Sequence, residues 1–400
     1  MSKFICPICY GDTVKNGDSP QGRQRYLCKH CGHRTVNPIK DADIEMITEN
    51  VKLAKKTQKH QDTNRIERKA FREHARIENA YAEYTKELRD IFKANKLHDL
   101  NDTIKVAGPG AGIIQLSDLH FNELVDLPHN KYSFEVAAKR LKRLAMEAYF
   151  VFGYRGISNV LIACTGDFMN SDRRMDELLS NATNRSKATF LAVDILQQFL
   201  LELSQNFNLT VAAVTGNEGR VDKEPGWDDV LATHNYDYTI HGMLAMLFKD
   251  TDVQFLHGDP IEQVVNVAGA NILLLHGHSI GAKANLTDMV TKLIGKYAGR
   301  ETRIDYVMFG HVHEASVGDI YSRSSSLVGA NAYSDYGLNL LSRASQNIYT
   351  VDELGNINGM KVDLQFVGEE TYDIDEALAS YNAKSLDKLK PHTVIHTIVI

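Results

Sequence analysis

The sequence predicts an α/β fold preceded by a small cysteine-bearing segment. Three observations lead there. From Ile104 onward, short apolar runs of β type end one after another in polar residues. Helical stretches separate the early runs, as in α/β units. Four of the five cysteines fall within the first 31 residues, apart from that pattern.

At 400 residues the chain exceeds the usual size of one compact core, so two or more units are expected. Its hydrophobic fraction of 43% and charged fraction of 24% are those of a globular protein, and eight prolines argue against long disordered tracts. Met1 leads through Lys3 straight to Cys6 without an apolar targeting region, and the apolar runs are far too short to span a bilayer. A cytoplasmic protein without a membrane segment is therefore expected. Charge is uneven: residues 1–99 carry 20 Lys and Arg against 14 Asp and Glu, and the remainder 25 against 37. A basic front on an acidic body points to a polyanionic partner for the front alone.

Residues 1–40 hold two C-x-x-C pairs, Cys6-Cys9 and Cys28-Cys31, with turn signals at Asn16-Gly17 and Gln21-Gly22 between them. That spacing allows one tetrahedral zinc to be gripped from two hairpins, and a unit this small needs the metal to fold. Residues 41–100 are dense in charge, lack Gly and Pro, and repeat apolar residues at helical spacing from Ile66 through Ala70, Ile77, Tyr81, Tyr84 and Leu88 to Ile91. This stripe reads as a coiled-coil seam or as a face packed on the body. Residues 101–366 form the α/β domain. Gly108 to Gly112 reads as a linker, and Gln346–Val351 with Asn358–Phe366 as a hairpin about Gly355-Asn356. Residues 367–400 form a tail ending in a β-prone run, Thr393 to Ile400. The helical segment or this tail offers a route to a homo-oligomer.

The chemistry lies at the strand ends. Five β runs terminate in Asp118-Leu119-His120, Gly166-Asp167, Gly216-Asn217, His276-Gly277-His278 and Gly310-His311-Val312-His313. Residues two apart on a strand share a face, so Asp118 with His120 and His311 with His313 are expected to present pairs to one cavity. Mixed imidazole and carboxylate ligands suit manganese, iron, zinc or nickel better than magnesium, and manganese is favoured. Two such ions about 3.5–4 Å apart need a shared carboxylate; they activate a water and clamp both oxygens of an in-line displacement.

The order and spacing resemble the calcineurin-like metallophosphoesterase superfamily, whose pattern runs D-x-H, G-D, G-N-H-[D/E], H, G-H-x-H. The resemblance covers roughly residues 110 to 350. It implies a two-sheet sandwich flanked by helices, with Asp118, His120 and His313 on one metal, Asp167 bridging both, and Asn217, His276 and His311 on the second. It places His278 behind the ligands. One position departs: Glu218 stands where most members have the histidine beside the leaving group, and members without it are often phosphodiesterases. Glu218 serves as the acid if its pKa is raised, or as a structural carboxylate pairing with Arg220. Arg173 and Arg174 read as phosphate contacts or as a solvated loop pair. His234, His241 and His257 are candidates to line the cleft, and Cys164 is a small core residue.

The front segment, Gly22-Arg23-Gln24-Arg25-Tyr26-Leu27-Cys28 and Lys29-His30-Cys31-Gly32, resembles the zinc ribbons of insertion-sequence transposases, which implies a DNA-binding accessory unit. Arg23, Arg25, Lys29 and Arg34, interleaved with Tyr26 and His30, fit phosphate contact with some stacking. The combined expectation is a two-metal phosphodiesterase with one structural zinc, acting as a DNA nuclease. The alternatives are a nucleotide or phosphoprotein phosphoesterase, or a DNA-binding regulator that uses the fold as a scaffold.

Overall fold

The structure is a computed structural model that describes residues 4–36, 49–65, 68, 110–222, 228–280, 285–331, 334, 342–381 and 383–384. It divides into two compact units, Met1–Asn79 and Ala80–Ile400. The first holds a three-stranded antiparallel sheet, β1 (Thr13–Asp18), β2 (Gln24–Cys28) and β3 (Arg34–Val36), and a helix, α1, over residues 49–65. The apolar stripe from Ile66 to Ile91 and the terminal run from Thr393 to Ile400 lie outside the described residues.

The second unit is built on two sheets. One runs in the order β16-β15-β4-β7-β8-β9, comprising β4 (Ala111–Leu116), β7 (Asn159–Cys164), β8 (Asn208–Ala213), β9 (Gln254–Phe255), β15 (Ser345–Val351) and β16 (Ile357–Asp363), with a small hairpin, β5 (Val125–Leu127) and β6 (Asn130–Tyr132), beside it in sequence. The other runs β10-β11-β12-β14-β13, comprising β10 (Glu262–Val267), β11 (Ala270–Leu275), β12 (Tyr306–Phe309), β13 (Ser316–Val317) and β14 (Tyr321–Arg323). Within each sheet the strands that lead into the motifs are parallel: β4, β7 and β8 in the first, β11 and β12 in the second.

Alternation explains the layering. Both faces of these strands are covered, so they read as continuous apolar runs rather than as a mixed pattern. On β4, Ile113 enters the layer between the sheets while Ile114 and Leu116 meet helices. On β11, Ile272 and Leu274 face the other sheet, and Leu273 and Leu275 face a helix. Each such fully buried side chain contributes about 1.5–3 kcal/mol. On the outside of the first sheet lie α2 (Phe134–Tyr154), α4 (Arg185–Ser204) and α6 (Tyr236–Leu247), with the short α3 (Met175–Leu179) and α5 (Asp229–Thr233) in the connections. Outside the second lies α7 (Leu286–Ala298), and a last short helix, α8 (Asp375–Ser380), packs on α4. Side chains cap the main helices: Ser133 accepts from Val136 N, Asn184 from Lys187 N and Asn235 from Asp237 N.

The two-sheet sandwich flanked by helices, implied by the calcineurin-like resemblance, is the observed architecture. The hairpin forms about Gly355, whose φ of +80° suits glycine. One expectation needs correcting: Ala111 and Gly112 belong to β4, not to a linker. Gly112 is there because a Cβ at that position would lie 2.7 Å from the Phe152 ring of α2. Among the described residues no helix is long and apolar enough to cross a membrane.

Gly112→Ala should accordingly overpack the helix–sheet layer and destabilise the body by about 1–3 kcal/mol in urea unfolding. Adding Phe152→Leu should recover part of the loss. A double variant no better than additive would show that the ring is not what the glycine accommodates.

Candidate metal centre

Five loops meet where the parallel strands end, the usual place for a site in such sheets. The chain leaves β4 at Ser117-Asp118, β7 at Gly166-Asp167, β8 at Gly216-Asn217, β11 at His276 and β12 at Gly310-His311. Backbone bonds knit the loops together: Asp118 N to Gly166 O, His120 N to Asp167 O, and Gly310 N to His276 O. Asp118 also reaches across to the other sheet, where both carboxylate oxygens accept from His311 N at 3.2 and 3.0 Å.

The ligand pairs do not share a strand face as expected. They lie beyond the strands, and Asp118, His120, Asp167, His311 and His313 all take positive φ between 43° and 73°. Left-handed backbone is uncommon for such residues and gathers at functional sites. The glycines of the motifs have a steric reason. A Cβ at Gly216 would lie 2.0 Å from Asp167 Oδ1, and one at Gly310 would lie 1.9 Å from Ser117 Oγ.

Two groups of donor atoms result, each within 4.8 Å: Asp118, His120 and His313, and Asp167, His276 and His311. In the first, His120 Nε2 and His313 Nε2 are 3.0 Å apart and Asp118 Oδ1 is 3.3 Å from His313 Nε2. In the second, His276 Nε2 lies 2.9 Å from Asp167 Oδ2 and 3.0 Å from Asn217 Oδ1. His276 Nδ1 is 2.8 Å from Thr165 O, so with its proton on Nδ1 the ring directs the Nε2 lone pair at those two oxygens. Acceptors converging in this way fit a cation.

A proton on Nε2 answers the same convergence, and the electrostatics favour it. Burial pushes His276 down, but Asp167 beside it wins and lifts it to about 10. His313 is raised for the same kind of reason, by Asp118 against burial. Burial alone would raise Asp118 and Asp167, yet His313 and His276 hold them below the ordinary carboxylate range. Burial and the neighbouring His313 lower His120 to about 4, leaving a neutral, ligand-ready ring. Each group thus joins a carboxylate, an imidazole drawn toward its charged form and a neutral imidazole.

Sequence reasoning missed the residues that hold these loops. Asp237, in the first turn of α6, accepts from the backbone N–H groups of Asp167 at 2.8 Å, Phe168 at 2.9 Å and Gly216 at 2.8 Å. Burial and the Asp167 charge raise its carboxyl to about 6. Its cap, Asn235, also bonds Gly216 O. Gln346 of β15 brackets Ser117, accepting from its N at 2.8 Å and donating to its O at 3.0 Å. Asn235-Tyr236-Asp237 signalled only a helix start.

Other expectations sort differently. Glu218 pairs with Arg173 at 3.2 Å rather than with Arg220, and burial and Asp167 raise its carboxyl while Arg173 opposes them. Arg174 is held by Glu177 on α3. His278 is half-buried, its ring 5.8 Å from that of His276 and 6.2 Å from that of His311. His241 does not line the cleft: it is buried against Leu116, Cys164 and Leu244, and its ring faces Phe255 and His257. His234 bonds Asp222 at a half-exposed site. Cys164 is buried in the core.

In the first unit, Cys6, Cys9, Cys28 and Cys31 bring their sulfurs within 4.8 Å. Backbone N–H groups of Cys31 and His30 point at Cys28 Sγ at 3.5 and 3.3 Å, drawing its thiol down to about 6 despite burial. Four sulfurs gathered in this way fit a zinc ribbon. Arg23, Arg25, Lys29 and Arg34 are all exposed on it.

No family model and no curated protein matches the chain. Several solved structures share its fold only distantly. Vacuolar protein sorting 29 from Cryptosporidium parvum is 13% identical over 65% of this chain and 100% of its own, with a TM-score of 0.31. The calcineurin-like phosphoesterase YfkN from Bacillus subtilis is 8% identical over 68% and 97%, with a TM-score of 0.31. A 5'-nucleotidase from Candida albicans is 9% identical over 70% and 55%, with a TM-score of 0.29. Likenesses this loose carry no weight for activity; motif order and ligand geometry do.

Asp167→Asn replaces a charged candidate ligand by a neutral amide. It should abolish phosphoester hydrolysis and weaken Mn²⁺ binding in calorimetry by more than the roughly 10–100-fold typical of an outer partner. Activity within a few-fold of the parent at saturating manganese would sink the two-metal assignment.

Proposed function

We propose that this chain is a two-metal phosphodiesterase that cleaves nucleic acid, most simply DNA, with the zinc ribbon as its holding element. The convergence of two carboxylate–imidazole groups at the strand ends carries the reading. In it, Asp118, His120 and His313 would hold one divalent ion and Asn217, His276 and His311 the other, with Asp167 as the carboxylate they would share. Such ions, when bound, activate water and stabilise the leaving oxygen. The residues' own work is to fix that charge: the Asp237 and Gln346 bonds keep the loops from relaxing, and His278 stands behind the ligands.

DNA binding rests on the ribbon's exposed Arg23, Arg25, Lys29 and Arg34 and on its resemblance to transposase ribbons. Four thiols holding zinc also suit a reducing, cytoplasmic compartment. A second reading, a phosphoesterase for nucleotides, draws on the acidic remainder of the chain, with 37 Asp and Glu against 25 Lys and Arg beyond residue 99. Manganese-supplemented incubation with labelled single- and double-stranded DNA, RNA, nucleotides and an aryl phosphodiester separates the readings.

Cys28→Ser should unfold the ribbon and spare the catalytic centre. Hydrolysis of the small diester should persist. DNA affinity should fall, and the part lost should be the salt-sensitive part, because basic side chains act through counterion release. If the variant binds and cuts DNA like the parent with the same salt dependence, the ribbon does not hold DNA.

A further inference from the structure

Glu218 occupies the position where the metallophosphoesterase pattern carries a histidine, and its surroundings show what stands in that residue's place. All four of its polar atoms are engaged. Its N–H donates to Asp167 Oδ1 at 2.7 Å, and its carbonyl accepts from Arg185 Nη2 at 2.6 Å. Oε1 accepts from Asn217 Nδ2 at 2.6 Å, and Oε2 accepts from Arg173 Nη2 at 3.2 Å. Both carboxyl oxygens are thus committed to holding neighbouring donors. The bond from Asn217 Nδ2 also settles the amide's orientation, since it turns Oδ1 toward His276 Nε2.

Arg173 is held just as deliberately. Its Nη2 donates to Asn217 O at 2.9 Å as well as to Glu218, and its Nε donates to Ser171 Oγ at 3.0 Å. Nη1 has no hydrogen-bond partner among the described residues, and the side chain keeps 16% of its surface exposed. A guanidinium tied to the backbone of a ligand residue, with one nitrogen left over, is a ready donor for an anionic oxygen bound at the same centre.

We infer that Arg173 is a catalytic residue that grips a phosphoryl or leaving-group oxygen of the substrate, and that Glu218 is a positioning residue holding both Arg173 and the Asn217 amide. This rests on the two-metal reading and gives the centre a fixed guanidinium hydrogen-bond donor, its charge balanced by Glu218, where a proton donor is usual. Charge stabilisation without proton donation suits diesters whose leaving oxygen departs as an anion.

The test uses the full chain loaded with Mn²⁺ and reads three quantities: Mn²⁺ affinity by calorimetry, inorganic phosphate affinity at saturating Mn²⁺, and kcat/KM for diesters with aryl and alkyl leaving groups. Arg173→Gln should keep both Mn²⁺ ions within a few-fold and weaken phosphate binding by about 10–100-fold, with Arg173→Lys recovering part of it. Glu218→Gln keeps an acceptor for Asn217, so Mn²⁺ affinity should hold; Glu218→Ala should lower it by about 10–100-fold. Unchanged phosphate affinity in Arg173→Gln and Arg173→Lys would overturn the role of Arg173. Selective slowing of the alkyl diester by about 10²-fold or more in Glu218→Gln, with the aryl diester spared, would make Glu218 a proton donor and overturn its positioning role. A parent protein that binds no Mn²⁺ at all would instead remove the two-metal reading beneath both.

Discussion

The body of this protein is organised around backbone that does not want to be where it is. Five residues of the candidate metal centre sit in the left-handed region, at a cost of about 1–2 kcal/mol each. Such conformations persist only when their surroundings over-determine them. Here the surroundings are specific: Asp237 gathers N–H groups from two loops, Gln346 brackets Ser117, and two glycines clear the space that the carboxylates need. The geometry of the site is therefore a property of the whole sandwich and not of its loops alone.

The same arrangement couples the sheets. Asp118 follows a strand of one sheet, yet its carboxylate is bonded by His311 N from the other. His276, from the second sheet, faces Asp167 and Asn217 from the first. Carboxylates buried at such a junction need compensating charge. Imidazoles drawn toward the charged form supply part of it, and divalent ions are the natural complement.

Much of this was legible in the sequence. Strand ends, helix positions and candidate donor residues could be read because each is local: apolar runs stop at a polar residue, and the residue type suggests the chemistry. The reason offered for the ligand pairs, a shared strand face, was wrong, because a turn just past a strand can align two side chains as well as the strand can. Pairing with Arg220, one of the two readings of Glu218, rests on nearness in sequence, whereas its partner Arg173 lies 45 residues away. Asp237, 70 residues from Asp167, and Gln346, 229 from Ser117, left no local trace. His241 misled because its polar type hid a core environment in which burial keeps the ring neutral.

Strand order also sets a timetable for the nascent chain. β4 pairs with β7, some fifty residues onward, and with β15, whose partner residues lie over 230 positions away. Asp118 meets His311 across 193 residues. Non-local pairings of this kind are slow and cannot begin until the late strands have left the ribosome. The cysteine cluster closes over separations of at most 25 residues. During synthesis, then, the cysteine cluster is complete long before the candidate metal centre exists.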